Sequence, residues 1–118
     1  MVKINTIRRQ SEFKDVFTNG KSYPARFFVL YLTPNNEHAN RYGFTAGKKI
    51  GNAVVRNRMK RLLKEVVRKH GPTLNCSFDY VLVARSAGVG KGMKEIEDDF
   101  IKLIRRHRLG CVERKEDL

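Results

Sequence analysis

The chain has no tryptophan, two cysteines, three prolines and only 12 acidic residues among 118, against 25 lysines and arginines. Each scarcity removes a class of protein. Cys76 and Cys111 lie far apart and form no C-x-x-C or Cys/His cluster. Neither a disulfide scaffold nor a structural zinc site is supported, and the thiols are expected to be reduced. No apolar run approaches the roughly 20 residues that cross a bilayer. The opening residues, MVKINTIRRQSEF, contain no apolar signal core. The expected location is therefore the cytoplasm, with no membrane partner. The shortage of acid leaves a formal net charge of +13. Nucleic acid is the default partner for such a surface.

A protein active site is equally hard to find. His38, His70 and His107 are scattered, without a carboxylate or nucleophile at a telling spacing. They lack the paired geometry that acid–base catalysis needs, so no catalytic residue is expected. Glu95, Glu97, Asp98 and Asp99 sit among basic neighbours on one helical stretch. They read as groups that tune that helix rather than as a two-metal site, and no metal ligands are expected in the protein. The stretch Gly88-Val89-Gly90-Lys91-Gly92 resembles a phosphate loop only superficially, because it lacks the G-x-x-x-x-G-K-[ST] pattern.

What is present fits one domain, residues 1–118, with a polar tail over 111–118. Ser11 is placed to cap a short helix to about Asn19, with Phe13, Val16 and Phe17 on one face and Gly20 ending it. Arg26 to Thr33 is rich in aromatic and β-branched residues and predicts a strand. Arg41 to Gly47 predicts a second strand, antiparallel to the first, with Tyr42, Phe44 and Ala46 on one side and Gly43, Thr45 and Gly47 on the other. A basic helix follows, stopped by Gly71 and Pro72. Asp79 to Ala84 predicts a central strand, and Met93 to about Arg108 a last helix, with Met93, Ile96, Phe100, Leu103 and Ile104 inward and Gly110 ending it. The order α-β-β-α-β-α, or the same order with one extra short strand, suggests an α+β sandwich: an open sheet with packed helices.

The basic segment from Lys48 to Lys69 carries nine lysines and arginines and one acid, +8 of the chain's +13. Gly51-Asn52 makes a turn, with Asn52 as N-cap. Val55, Met59, Leu62, Leu63, Val66 and Val67 recur at helical spacing as a buried stripe. At about 100° per residue, Asn57, Lys60, Arg61, Lys64 and Arg68 fall on one arc away from that stripe, and Arg56 lies at its edge. Cations one turn apart suit phosphates along a backbone, and arginine adds planar, bidentate donors. Lys48 and Lys49 stand just before the turn.

Lys48 to Arg61, KKIGNAVVRNRMKR, resembles the signature of the bacterial ribonuclease P protein subunit, whose Arg-Asn-Arg motif is Arg56-Asn57-Arg58 here. The resemblance extends to Phe13-x-x-x-Phe17, Phe28 to Tyr31 and Asp79 to Arg85. It implies an α/β sandwich whose basic helix makes a left-handed crossover between parallel strands. It also implies a partnership with a catalytic RNA in the 5′ maturation of precursor tRNA, with magnesium required by the RNA-containing holoenzyme. The protein is then a subunit of an endoribonuclease whose catalytic site is in the RNA, and no protein partner is implied.

By the same resemblance, Lys48, Lys49, Asn52, Arg56, Asn57, Arg58, Lys60 and Arg61 belong to the RNA-subunit surface, and helical phase adds Lys64 and Arg68 to it. Phe13, Phe17 and Tyr31 match leader-contacting positions in a cleft between the first helix and the sheet, with Thr45 on the same face. Arg9 and Lys14 are placed beside that cleft for phosphate contacts. From spacing alone, ordinary core packing is the favoured reading of Phe13 and Phe17, and only the resemblance places them in the cleft. Composition also fits a small ribosomal protein, and less well a DNA-binding regulator, which would need base-reading side chains.

Overall fold

Phe78–Ala84 (β5) is buried at five of its seven positions and runs through the middle of a five-stranded sheet. The computed structural model describes residues 4–37 and 39–110. The other strands are Asn5–Thr6 (β1), Lys21–Pro24 (β2), Phe28–Pro34 (β3) and Arg41–Thr45 (β4), and the sheet order is β1-β4-β5-β3-β2. β5 pairs antiparallel with β3, from Phe28 opposite Ala84 to Pro34 opposite Phe78. On its other side it pairs parallel with β4, from Arg41 opposite Asp79 to Thr45 opposite Val83. The helices are Gln10–Asn19 (α1), Ala53–His70 (α2) and Met93–His107 (α3). α2 carries the chain from β4 to its parallel neighbour β5.

Alternation along the strands divides the core in two. Phe28, Leu30, Leu32, Tyr42, Tyr80, Leu82 and Ala84 face α2 and α3 and pack with Met59, Leu63, Val66, Val67, Ile96, Phe100, Leu103 and Ile104. On the other face Ile7, Val16 and Val81 form a smaller cluster with Phe13, Tyr31 and Val83, under α1. The large core holds the fold together, and the small one seats a single helix on an otherwise open sheet.

Several boundaries differ from the sequence reading, each for a physical reason. α1 begins at Gln10 with Arg9, not Ser11, at the cap position. The Arg9 backbone N–H donates to Glu12 Oε1 at 3.4 Å, so an acid in the first turn supplies the capping contact. The sequence reading allowed one extra short strand and two are present: β1, too short to show periodicity, and β2, the mostly exposed arm of a hairpin with β3. β4 does run antiparallel to β3, but β5 lies between them. α3 ends at Arg108, in the left-handed conformation with φ 54°, rather than at Gly110, which bridges to Leu74. Asp99 on α3 accepts from the backbone N–H groups of Arg26 and Phe27, at 3.1 and 2.8 Å, and ties the β2–β3 turn to that helix.

Candidate nucleic-acid interface

The helix predicted to be basic is shaped as its periodicity requires. Asn52 caps it, its side-chain oxygen accepting from the Val55 N–H at 3.0 Å. Met59, Leu63, Val66 and Val67 are buried, and Val55 and Leu62 are half-buried. On the opposite arc Asn57 and Arg61 are exposed, while Lys60, Lys64 and Arg68 are half-buried along their stems. Ile50 is buried, which pins the short turn Lys48–Ile50 and leaves Lys48 and Lys49 exposed. Among the described residues, Lys48, Lys49, Lys60, Arg61 and Lys64 have no carboxylate within ion-pair distance. Their charge is thus open to a polyanion.

Three arginines of the predicted set are placed differently from one another. Arg68 is held by Glu65 at 2.6 Å. Arg58 turns away from the arc and donates from Nη2 to the Lys91 carbonyl oxygen at 3.3 Å. It braces the loop before α3. Arg56 is half-buried, with its Nε enclosed and without a hydrogen-bond partner. An unmet buried donor costs about 1–3 kcal/mol.

On the α1 face the aromatic residues divide. A Cβ built on Gly43 would lie 2.6 Å from Phe13 Cε1 and 2.8 Å from Cζ. The Phe13 ring therefore sits directly on the backbone of β4, where only glycine leaves room. This side chain fills the space over Gly43, and for Phe13 the packing reading holds. Phe17, by contrast, is 41% exposed and meets Tyr31 edge-on, with ring centroids 4.9 Å apart and planes at 79°. Tyr31 is half-buried between the small core and this pair. Arg9, at the cap of α1, and Lys14, within it, are exposed, and Thr45 is half-buried at the end of β4.

A network absent from the sequence reading fixes α1 in place. Arg41 grips Asp79 with two hydrogen bonds, Nε to Oδ1 at 2.9 Å and Nη2 to Oδ2 at 2.7 Å, and reaches Glu12 with Nη1 at 2.6 Å. Asn35 adds a bond to Asp79 Oδ1 at 2.8 Å. Burial alone would raise the Asp79 pKa, but the Arg41 and Asn35 hydrogen bonds and the Arg41 charge hold it below its ordinary value. The Arg41 hydrogen bond likewise lowers the Glu12 pKa, and the guanidinium is raised chiefly by its bond to Asp79. Register brings the pair together: Arg41, the first residue of β4, stands opposite Asp79, the second residue of β5.

The remaining residues singled out from the sequence have mostly structural settings. His70 does have a carboxylate partner: its Nε2 lies 2.7 Å from Glu97 on α3, which Lys69 also reaches at 2.8 Å. These contacts, the Lys69 bond foremost, lower the Glu97 pKa. The pair ties α2 to α3. Gly88 is buried against the Phe27 carbonyl and Met59, and Lys91 lies over the Phe27 ring at 5.7 Å. This loop therefore packs rather than cradling a phosphate. Cys76 is exposed, while Cys111, His38 and the expected tail over 111–118 lie outside the described residues. No described helix is long and apolar enough to cross a membrane.

At the C-terminal ends of β4 and β5, by the turn that precedes the basic helix, lies a cavity of about 620 Å³. Gly47, Lys48, Lys49, Arg85 and Ser86 line it. The crevice beyond the carboxyl ends of parallel strands is where open sheets commonly bind ligands. Arg85 was not among the predicted site residues, because one arginine after an apolar strand carries no periodic signal.

The family model described as Ribonuclease P matches residues 1–108. The chain belongs to that family. Among similar sequences, the ribonuclease P protein component of Natranaerobius thermophilus is 38% identical over 109 residues, covering 92% of this chain and 95% of the relative. That of Syntrophomonas wolfei is 43% identical over 101 residues, covering 85% and 84%. The solved RNase P protein of Staphylococcus aureus superposes with a TM-score of 0.80 at 26% identity, covering 91% of this chain and 98% of that one. The RNase P protein of Thermotoga maritima gives 0.78 at 24% identity, covering 86% and 96%, a likeness that speaks for the fold alone. The ribosomal and DNA-regulator alternatives that composition left open give way to ribonuclease P.

Proposed function

We propose that this chain is the protein subunit of ribonuclease P, acting as one RNA-binding unit with two faces. The exposed cations of α2, with Lys48 and Lys49, hold the phosphates of the catalytic RNA. The Phe17–Tyr31 pair stacks unpaired bases of the 5′ leader of precursor tRNA, and the cavity by Lys48, Lys49 and Arg85 passes the strand toward the basic helix. Stacking is tolerant of sequence because every base has a π-face, as a subunit serving many leaders requires. Phe13 supports the platform from below, and Arg9 and Lys14 offer phosphate contacts at its rim. The observation that carries this reading is the pair of exposed Phe17 and half-buried Tyr31 on one sheet face, with Lys48, Lys49, Lys60, Arg61 and Lys64 free of described carboxylate partners in and before the helix on the other.

Endonucleolytic removal of the leader belongs to the RNA in this proposal. Among the described residues no three His, Cys, Asp or Glu side chains come together to hold a metal ion. In this reading magnesium serves the RNA-containing holoenzyme. The protein's contribution is positioning: holding the leader raises the occupancy of a productive substrate geometry. The test crosses two variants with two ligands. Arg61→Ala is expected to weaken assembly with the RNA subunit and to reduce the log–log salt slope by about 1, with little change in leader discrimination. Tyr31→Ala is expected to do the reverse. Identical behaviour of both variants with both ligands would sink the two-face assignment.

A further inference from the structure

The Arg56-Asn57-Arg58 triplet is divided between faces of α2. Asn57 lies on the arc of Lys60, Arg61, Lys64 and Arg68, and Arg58 stands about 100° from it, on the flank toward α3. Lys69, about three turns further along, falls on the same flank, and its Nζ reaches Glu97 of α3 at 2.8 Å. Arg58 makes the other contact of that flank. Its Nη2 donates to the Lys91 carbonyl oxygen at 3.3 Å, one residue before Gly92, the N-cap of α3. The guanidinium is drawn toward the loop, whereas Arg61 on the arc is exposed and has no carboxylate partner among the described residues.

The loop that Arg58 holds is closely fitted. Gly88 N–H donates to the Arg85 carbonyl at 2.9 Å, Val89 N–H to Ser86 at 3.1 Å and Lys91 N–H to Gly88 at 3.1 Å. A Cβ on Gly88 would lie 2.9 Å from the Phe27 carbonyl oxygen and 3.0 Å from Met59 Cε. The loop therefore has no slack against α2 or against the residue that precedes β3. At its start, Arg85 N–H donates to the Phe27 carbonyl at 3.0 Å, and Arg85 Nη1 to the Ala25 carbonyl at 2.8 Å. Arg85 and Ser86 then form one wall of the cavity that Lys48 and Lys49 line from the other side. The Arg58 hydrogen bond thus joins the basic helix to the segment that shapes this cavity.

We infer that Arg58 is a positioning residue for leader binding, which holds the loop from Arg85 to Lys91 against α2 and neutralises no phosphate of the catalytic RNA. This rests on the reading that the leader passes through the cavity. It departs from the resemblance, which puts the whole triplet on the RNA-subunit surface. Asn57 and Arg61 stay on that surface, and Arg58 serves the substrate through the loop.

The test compares Arg58→Ala, Arg58→Lys, Arg61→Ala and Tyr31→Ala, in the full-length chain and in holoenzyme reconstituted with ribonuclease P RNA. Binding to that RNA is measured over a range of monovalent salt. Arg61→Ala should lower the log–log slope by about 1, and Arg58→Ala should leave it at the parental value. Hydrogen exchange reads the loop directly. The amides of Gly88, Val89 and Lys91 should exchange roughly 2- to 12-fold faster in Arg58→Ala, the worth of one hydrogen bond. Arg58→Lys keeps a donor and should restore most of the protection. In cleavage assays at saturating protein, KM for precursor tRNA should rise by a similar factor in Arg58→Ala at unchanged kcat, and return toward the parental value in Arg58→Lys. A slope lowered as much as in Arg61→Ala overturns the inference, as does loop exchange at the parental rate. So does an unchanged KM in Arg58→Ala where Tyr31→Ala raises it. A parental KM in Tyr31→Ala would instead refute the leader platform, and slope and exchange would then decide the role of Arg58. A parental slope in Arg61→Ala would refute the α2 assignment, and exchange and KM would decide it.

Discussion

Phe17 and Phe13 are one turn apart on α1, and the structure gives them separable roles. Phe17 is 41% exposed and contacts Tyr31 through its edge. Replacing it with leucine keeps most of the apolar area in contact with the sheet and removes the ring pair, worth about 0.5–1.5 kcal/mol. Denaturant unfolding of Phe17→Leu should therefore show a loss of about 1 kcal/mol. Stacking of a leader base on the ring is worth about 1–3 kcal/mol, which converts to roughly 5- to 150-fold in Kd. The reconstituted holoenzyme should lose affinity by that factor for precursor tRNA and retain its affinity for leaderless tRNA. Phe13→Leu should show the opposite balance. Its ring is packed on Gly43 among Ile7, Val16 and Val81. A poorly filled seat there should cost about 1–3 kcal/mol of stability, with a smaller effect on leader binding. Equal loss for both substrates in Phe17→Leu would refute the stacking argument. So would a leader-specific loss in Phe13→Leu at undiminished stability.

Gly43→Ala would place a methyl group 2.6 Å from Phe13 Cε1. Overpacking of this kind costs about 1–3 kcal/mol, so thermal unfolding should shift down and leader affinity should fall as α1 lifts; an unchanged midpoint would show that Phe13 does not seat there. Arg41→Gln leaves the Asp79 carboxylate buried with Asn35 as its remaining side-chain partner, a loss of about 2–4 kcal/mol at neutral pH. In the parent the folded-state pKa values of Asp79 and Glu12 are depressed, so their contribution is present above the unfolded carboxylate range near 4 and fades as pH falls through the folded values. The gap between parent and variant in chemical denaturation should therefore narrow below about pH 4, and a constant gap down to pH 3 would show that charge is not what holds α1.

The parts of this molecule legible in sequence are those governed by short-range periodicity. The stripe from Val55 to Val67 and the cap at Asn52 follow from the 3.6-residue repeat and from local hydrogen bonding. The face on which Tyr31 stands follows from strand alternation. Strand adjacency was not legible. β3 and β4 read as neighbours because they are consecutive, and nothing within either segment says that β5 will enter between them. Long-range polar contacts escaped for the same reason. Arg41 with Asp79, His70 with Glu97 and Asp99 with the Arg26 turn each join residues 27 to 73 positions apart. The site was divided similarly. One-sided charge marked the basic helix, but only the close approach of Phe13 to Gly43 separated the supporting ring from the exposed one.

The central position of β5 governs how this protein is made. During synthesis β3 and β4 leave the ribosome well before Phe78–Ala84, yet each pairs with β5 and not with the other. A nascent chain that has completed α2 has the β2–β3 hairpin, the short β1–β4 pair not joined to it, and a helix whose apolar stripe has no finished sheet to cover it. Its cations are already displayed at that stage. The β2–β3 turn must wait longer still, until Asp99 arrives to accept its two N–H groups. The complete sheet, and with it the full seat for the basic helix, therefore requires that Phe78–Ala84 has been made.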